Sequence, residues 1–267
     1  MLSQVQVEEF RLNGFLLGEK VLDSDEVRVL QEEIARVIKD QDASVPQPVR
    51  IVNLSREEKS PVWQIVNIWQ ASEPFRNLAH SPKIVEEIAQ LTGANELRVW
   101  HDQIQYKPAA VGGLNSWHQD SPYWPILSPK TSQVTAWVAL DDVDESNGCM
   151  RMVAQSYRWG NQIEFLHTVK ELDAMPSSFE GSDIEVKFCP VRKGHVHYHH
   201  SLTWHASHAN TSGNPRRAIG IHYMTYETRY DANGDHPMKP FVTVPDGEKL
   251  AGPVFPLVMN NGCHVDL

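Results

Sequence analysis

The sequence predicts a mainly β protein, a barrel or sandwich with helices packed against its outside. From about Leu97 onward, period-two stretches follow one another at short spacing, whereas the residues before them carry helical periodicity. Polar residues also fall on one face of the longer strands, so that face is expected to line a site rather than a dry core. The 267 residues suffice for one large domain whose core needs no covalent staples. We expect a single domain over 1–267. It comprises a mostly helical lead-in over 1–96, a β core over 97–230 and a C-terminal extension over 231–267.

Taken in order, a short apolar run at Gly14–Leu17 comes first. Ser24 is placed to cap a helix in DSDEVRVLQEEIARVIKD, where Val27, Leu30, Ile34 and Val37 fall at helical spacing and the first turn is acidic. The polar, turn-rich stretch Asp40 to Pro48 reads as a loop. A second helix has Ser81 as N-cap, Pro82 at its first position, a stripe of Ile84, Ile88 and Leu91, and Gly93 to close it. Both helices read as cover for a sheet. In VWHDQIQYK, Gln103, Gln105 and Lys107 share one face and Ile104 and Tyr106 the other. QVTAWVALDDV alternates in the same way, and CMRMVA, IEVKFCPV, HVHYHH, LTWHAS and RAIGIHYMTY are further strands.

Composition narrows the function. A hydrophobic share of 41% and a charged share of 22% are ordinary for a soluble globular protein. The formal charge of −10, with no basic stripe interleaved with aromatics, argues against a nucleic-acid partner and against an anionic membrane surface. Cys149, Cys189 and Cys263 are scattered, which excludes a disulfide framework or zinc finger and fits a reducing compartment. The opening MLSQVQVEEF lacks the basic and apolar regions of a secretory leader, and no apolar run approaches the roughly 18 residues of a membrane span. The expectation is a cytoplasmic protein, monomer or homodimer, acting on a small molecule.

The informative segment is NSWHQDSPYWP. On an extended chain His118 and Asp120, two positions apart, project to the same side, so an imidazole and a carboxylate point together. With a second imidazole they would form the two-histidine, one-carboxylate face of an octahedron that leaves three metal positions open, the arrangement of non-haem Fe(II) oxygenases. Alone, H-x-D is a weak signal. Downstream, GHVHYHHSLTWHASHANTSGNPRRAIGIHYMT supplies a histidine near a strand end and then an arginine on the next strand. A carboxylated cosubstrate that chelates iron must also be held at its far end, and the planar fork of Arg suits that task. Histidines 195, 197, 199, 200, 205 and 208 all compete for the third ligand position. His195, His197 and His199 alternate on one strand face, and we read them as solvent-facing or hydrogen-bonded imidazoles rather than a metal comb.

The blocks QIQYKP, WHQDSPYWP, TAWVALDDVDESNGCM, LTWHASHANTS and RRAI are collinear, and the chain from about Phe75 to Tyr226 resembles the phytanoyl-CoA dioxygenase family of Fe(II)/2-oxoglutarate oxygenases. The resemblance implies a double-stranded β-helix, a cupin-like jelly-roll barrel. It implies Fe(II) as cofactor, 2-oxoglutarate and O₂ as cosubstrates, and hydroxylation of an unactivated C–H bond with release of succinate and CO₂. It makes His118, Asp120 and His205 the iron ligands and Arg216 the 2-oxoglutarate arginine, with Arg217 on the opposite face of the strand. His205 is chosen by its LTWHAS context and its place eleven residues before Arg216.

Gln119, Trp137 and Ser207 match cosubstrate contacts of the family, and Gln103 and Gln64 match such places more loosely. Lys107 is read either as an orienting cation or as a surface lysine. Trp117, Tyr123, Trp124 and Trp204 surround the ligand positions as packing, with Tyr123 and Trp124 as candidate substrate contacts. Cys149 reads as a small core residue, and His200 and His208 as groups outside the ligand set. The chain departs from the family at Gly194-His195, where Gly-Asp is common, and at Ala154-Gln155-Ser156-Tyr157, where Pro-Gly-Ser-His is common. The second departure bears on the rim where substrate enters. Because the carboxylate ligand is present, halogenation is disfavoured. Oxidative cyclisation, desaturation and epoxidation share the cofactor chemistry and remain alternatives. So do a non-catalytic binding barrel and a zinc or manganese cupin, the last of which has no need of Arg216.

Overall fold

The computed structural model describes residues 1–55, 61–110 and 113–267. The lead-in contains helices α1 (Gln4–Asn13), α2 (Ser24–Lys39), α3 (Glu73–Ala79) and α4 (Pro82–Thr92), with strands β1 (Phe15–Lys20), β2 (Arg50–Asn53) and β3 (Trp63–Val66) between them. Then come β4 (Leu97–Lys107), β5 (Asn115–His118), the short β6 (Leu127–Ser128), β7 (Gln133–Ala139) and β8 (Met150–Val153). A brief helix α5 (Ile163–Leu166) and a two-strand ribbon, β9 (Ser178–Phe179) with β10 (Ser182–Asp183), lead to β11 (Val186–Cys189), β12 (His195–His200), β13 (His205–Ser207) and β14 (Arg216–Thr225). After β15 (Arg229–Tyr230), β16 (Leu257–Asn260) and β17 (Cys263–His264) end the chain's regular structure.

Among the described residues two larger antiparallel sheets result, beside the two-stranded pairs β9–β10 and β6–β15. The major sheet runs β1-β12-β7-β14-β4-β16-β17, with β3 also paired to β4 and β2 to β3; the minor sheet runs β11-β8-β13-β5. This is the curled, helix-flanked β-helix the sequence leads one to expect. The lead-in is not a separate helical layer, however. β1 pairs with β12 and β3 with β4, so it supplies strands to the major sheet, as β16 does from the C-terminal extension. Helical periodicity in the neighbouring segments hid these short strands.

Alternation sorts the major sheet's residues into two environments. Outward-facing Ile104, Val134, Ala136, Val138, Val196, Tyr198, Ile219 and Ile221 pack in one apolar cluster with Val27, Leu30, Ile34 and Val37 of α2 and Ile84, Ile88 and Leu91 of α4. Burying each such aliphatic side chain stabilises by roughly 1.5–3 kcal/mol, which fixes the register and turns the polar positions inward. The cap of α2 differs from expectation. Asp23, not Ser24, accepts from the N–H groups of Asp25 and Glu26 at 2.9 Å, and Glu26 returns a bond to the Asp23 N–H at 2.7 Å, a capping box. α4 starts and stops where Pro82 and Gly93 (φ 71°) place it, although Ser81 makes no side-chain cap bond. Among the described residues no helix is long and apolar enough to cross a membrane.

Candidate metal and cosubstrate site

Strand pairing assembles the histidines first. β13 and β5 of the minor sheet are antiparallel neighbours with His205 opposite His118, and the two rings lie 4.0 Å apart between centroids. β5 ends at His118. Asp120 sits at the head of a 3-10 turn over Ser121–Tyr123, tied down by its own N–H and that of Ser121 donating to the Ser201 carbonyl at 3.0 Å. The carboxylate therefore reaches the site through a turn, not by strand alternation. Its Oδ1 lies 3.5 Å from His205 Nε2 and 3.9 Å from His118 Nε2. Among the described residues, His118, Asp120 and His205 are the group whose ligand atoms, all within 4.8 Å of one another, could hold a metal ion.

Both imidazoles are set for ligation. His118 Nδ1 lies 2.7 Å from the Ser116 carbonyl and His205 Nδ1 2.9 Å from that of Thr203. A carbonyl only accepts, so each Nδ1 carries the hydrogen and each Nε2 presents a lone pair inward. Burial pushes both pKa values down, that of His118 to about 4, with His205 adding to the effect there. Burial acts in the opposite sense on Asp120, but the surrounding imidazoles of His205, His199 and His222 outweigh it and hold this carboxyl well below the usual range. The trio is thus two neutral imidazoles and one carboxylate, the donor set for a ferrous ion.

A narrow cavity beside the trio is lined by Gln105, Thr135, Trp137, Met150, His199 and Ser207, among others. Trp137 donates from Nε1 to Gln105 Oε1 at 3.2 Å, and the Arg216 guanidinium lies over the Trp137 ring at 5.3 Å. Arg216 is 1% exposed; its Nη2 donates to the Gly148 carbonyl at 2.9 Å, while Nε and Nη1 have no partner. A buried guanidinium with two unpaired donors is costly unless an anion completes it. Gly148 has φ 85°, and a Cβ there would collide with the His208 carbonyl oxygen, so glycine permits this approach. Lys107, opposite Arg216 in the β4–β14 register, is no surface lysine: it is 3% exposed and donates to Ser207 Oγ at 2.7 Å and the His208 carbonyl at 2.6 Å. Burial, reinforced by Arg216, lowers its pKa to about 6.

Outside the trio opens a cleft of about 670 Å³, the size of a small-molecule pocket. Gln64, Gln103, Tyr123 and Trp124 line it, together with Gln105, His101, His167, His222 and His236. Trp124 is buried and packs edge-on against His222 (4.8 Å) and His101 (5.6 Å), whereas Tyr123 is half exposed with its hydroxyl 3.0 Å from His167 Nε2. Gln119 is turned elsewhere. Its amide nitrogen donates to the Gly160 and Leu202 carbonyls and its oxygen accepts from the Gln162 N–H, so it braces the backbone behind the site. Trp117 and Trp204 are buried as packing, and Cys149 is a core residue.

Sequence reasoning passed over Thr135, His222 and His101. Of the imidazoles it read as solvent-facing or hydrogen-bonded, His197 and His199 are both buried on the inward face, and His199 is hydrogen-bonded, its Nε2 3.1 Å from Asp120 Oδ2. The available signal was register parity: Thr135 shares a face with Trp137 on β7, and His222 shares one with Arg216 on β14.

The family model described as phytanoyl-CoA dioxygenase (PhyH) matches residues 10–218. The peroxisomal phytanoyl-CoA dioxygenase of Rattus norvegicus is 24% identical over 248 residues, covering 86% of this chain and 70% of that protein. The ectoine dioxygenase of Bordetella parapertussis is 27% identical over 247 residues, covering 85% and 76%. Among solved structures, the non-haem alpha-ketoglutarate-dependent carbocyclase SnoK from nogalamycin biosynthesis superposes with a TM-score of 0.77 at 28% identity over 97% of both chains. EctD from S. alaskensis with 2-oxoglutarate and 5-hydroxyectoine has the same fold, with a TM-score of 0.73 at 20% identity over 89% of this chain and 82% of that one.

Proposed function

Because the chain belongs to the phytanoyl-CoA dioxygenase family, and so to the 2-oxoglutarate-dependent non-haem iron oxygenases, we propose that it hydroxylates an unactivated C–H bond of a small metabolite held in the 670 Å³ cleft. The observation that carries this reading is the pairing of an inward-facing His118–Asp120–His205 trio with a buried arginine whose Nε and Nη1 lack partners. These residues fit the cofactor and the cosubstrate: the trio offers three ligand atoms on one side, and Arg216 offers a fork of donors to a distal carboxylate. When bound, iron with 2-oxoglutarate supplies oxidative decarboxylation to succinate and CO₂ and the power to break a C–H bond.

The protein's own residues do the rest. His118 and His205 hold their Nε2 lone pairs inward through the Ser116 and Thr203 carbonyls. Arg216, with Lys107 and Ser207 beside it, receives the far carboxylate in a place where water would screen the pair poorly. The Trp137 ring, with the Arg216 guanidinium over it at 5.3 Å, forms an apolar part of the wall of the inner cavity beside the trio. Gln64, Gln103 and Gln105 offer amides, and Trp124 an aromatic edge, to orient the substrate. The likeness to a carbocyclase over 97% of both chains favours a second outcome, ring closure, which differs only in where the substrate's own groups lie.

Anaerobic protein with Fe(II) and 2-oxoglutarate is expected to show a weak visible charge-transfer band that Asp120→Ala and His205→Ala each abolish. An unchanged band in both variants overturns the ligand assignment. A metabolite panel read by succinate release then separates enzyme from binding barrel, because silence across a broad panel contradicts the hydroxylase reading.

A further inference from the structure

The major sheet carries one inward row that the trio does not use. His101 on β4 lies opposite His222 on β14, His222 opposite Thr135 on β7, and Thr135 opposite His199 on β12. Thr135 and His199 bond Asp120 directly, and His222 reaches it through Thr135. Asp120 Oδ2 accepts from His199 Nε2 at 3.1 Å and from Thr135 Oγ1 at 3.2 Å, while Oδ1 faces His205 and His118. The Thr135 oxygen also lies 2.7 Å from His222 Nδ1. His199, Thr135 and His222 are 2%, 1% and 5% exposed, so water does not substitute for any of these bonds.

Proton counting fixes every direction in this chain. An ionised carboxylate only accepts, so His199 Nε2 carries its hydrogen. Threonine has one hydroxyl hydrogen. If it pointed to His222, two oxygen lone pairs would face each other across the Thr135–Asp120 contact, so it points to Oδ2. The Thr135 oxygen then accepts, and His222 Nδ1 carries the hydrogen. In a neutral imidazole Nε2 is consequently bare. His222 lines both the inner cavity and the outer cleft, which places that acceptor where substrate meets the trio. Among the described residues lining the cleft, Asp120 is the only carboxylate, and it is spoken for, so a cationic group finds no counter-charge there.

We propose that His199 and Thr135 are positioning residues that hold Asp120 as a one-oxygen ligand, and that the same bonds present His222 Nε2 as an acceptor for an uncharged O–H or N–H donor on the substrate. The proposal deepens the oxygenase reading and rests on it. Both oxygens of Asp120 are thereby divided: one is kept for the metal, and the other is held by two donors that stop the carboxylate from swinging to bidentate binding. Orienting contacts of this kind typically contribute about 10–100-fold in metal affinity.

The test is an anaerobic Fe(II) titration in the presence of 2-oxoglutarate, read by the charge-transfer band, on wild type, His199→Phe, His199→Gln and Thr135→Val. His199→Phe and Thr135→Val are expected to weaken Fe(II) binding by about 10–100-fold. His199→Gln, which retains an N–H donor, is expected to recover most of the loss. With both variants folded, wild-type affinity in both His199→Phe and Thr135→Val overturns the positioning role. Should the Phe variant not fold, Thr135→Val decides alone, and wild-type affinity there overturns it. Nitrogen-15 spectra of the Zn(II)-loaded protein read the second half directly: the hydrogen of His222 is expected on Nδ1, and finding it on Nε2 overturns the acceptor assignment. Failure of the oxygenase reading looks different, since His205→Ala would then bind Fe(II) as tightly as wild type.

Discussion

Arg217 donates from Nε and Nη2 to the two oxygens of Asp141 at 2.9 and 2.8 Å, on the outer face of β14, while its neighbour Arg216 is turned inward with two donors free. The two positions therefore predict different losses. Arg216→Lys keeps the charge but not the fork, and is expected to raise the 2-oxoglutarate KM by about 10–100-fold, on the order of 1.4–2.8 kcal/mol. Arg217→Ala breaks a part-exposed ion pair and is expected to cost about 1 kcal/mol of stability or less, with KM unchanged. Steady-state kinetics beside urea unfolding checks both, and a KM loss confined to Arg217 would reverse the assignment. At this scale the sequence was most informative where chemistry is local. His118 and Asp120 are two residues apart, and family context selected His205 and Arg216. It was least informative for His199, Thr135 and His222. These lie on three different strands and meet only through register, so no spacing in the chain announces them. Gln119 shows the converse: the family resemblance suggested a cosubstrate contact, but its amide is turned to the Gly160 and Leu202 carbonyls.

Helices α2 and α4 were readable because each carries an apolar stripe and an end signal, and the long strands because alternation persists over seven residues or more. Strands β1 to β3 were not, since these short stretches lie among segments of helical periodicity and their pairing partners β12 and β4 come later in the chain. One junction between the lead-in and the β core depends on a single carboxylate. Asp102 on β4 is fully buried and accepts from the Ile68 and Trp69 N–H groups at 2.8 and 3.3 Å, pinning the turn after β3 to the sheet. Burial raises its pKa from 3.8 to about 7 despite those donors. A carboxyl whose folded pKa is raised contributes stability that is fully present below its unfolded value and is lost as pH rises through the folded one. Between pH 4 and pH 7 the wild type is therefore expected to lose on the order of a few kcal/mol relative to Asp102→Asn, whose amide does not titrate. Chemical unfolding at stepped pH measures this. Parallel pH profiles for the two proteins would mean that Asp102 ionises in the fold at no cost.

For the whole molecule, the division of labour between the sheets is the feature with consequences. His118 and His205 belong to β5 and β13 of the minor sheet, while Arg216, Trp137 and Lys107 belong to β14, β7 and β4 of the major one. Metal alone joins the minor-sheet histidines to Asp120, and through its bonds to His199 and Thr135 to β12 and β7 of the major sheet. A chelating cosubstrate whose far end reaches Arg216 extends that tie to β14 and, beside it, β4. Binding to the native state at a hundred times Kd adds about 2.7 kcal/mol to its stability, and local opening reactions feel that gain only where the ligand bridges them. Amide hydrogen exchange under anaerobic conditions is therefore expected to respond in two stages. Fe(II) should slow exchange in β5 and β13, and in β12 and β7 where they bond Asp120, first; adding 2-oxoglutarate should extend protection to β14 and β4. Arg216→Lys should retain the first stage and lose most of the second, because iron still binds but the bridge is broken. Protection of β14 and β4 by Fe(II) alone would show that the metal by itself fixes the whole major sheet, and that the arginine anchors the cosubstrate without joining the halves of the barrel.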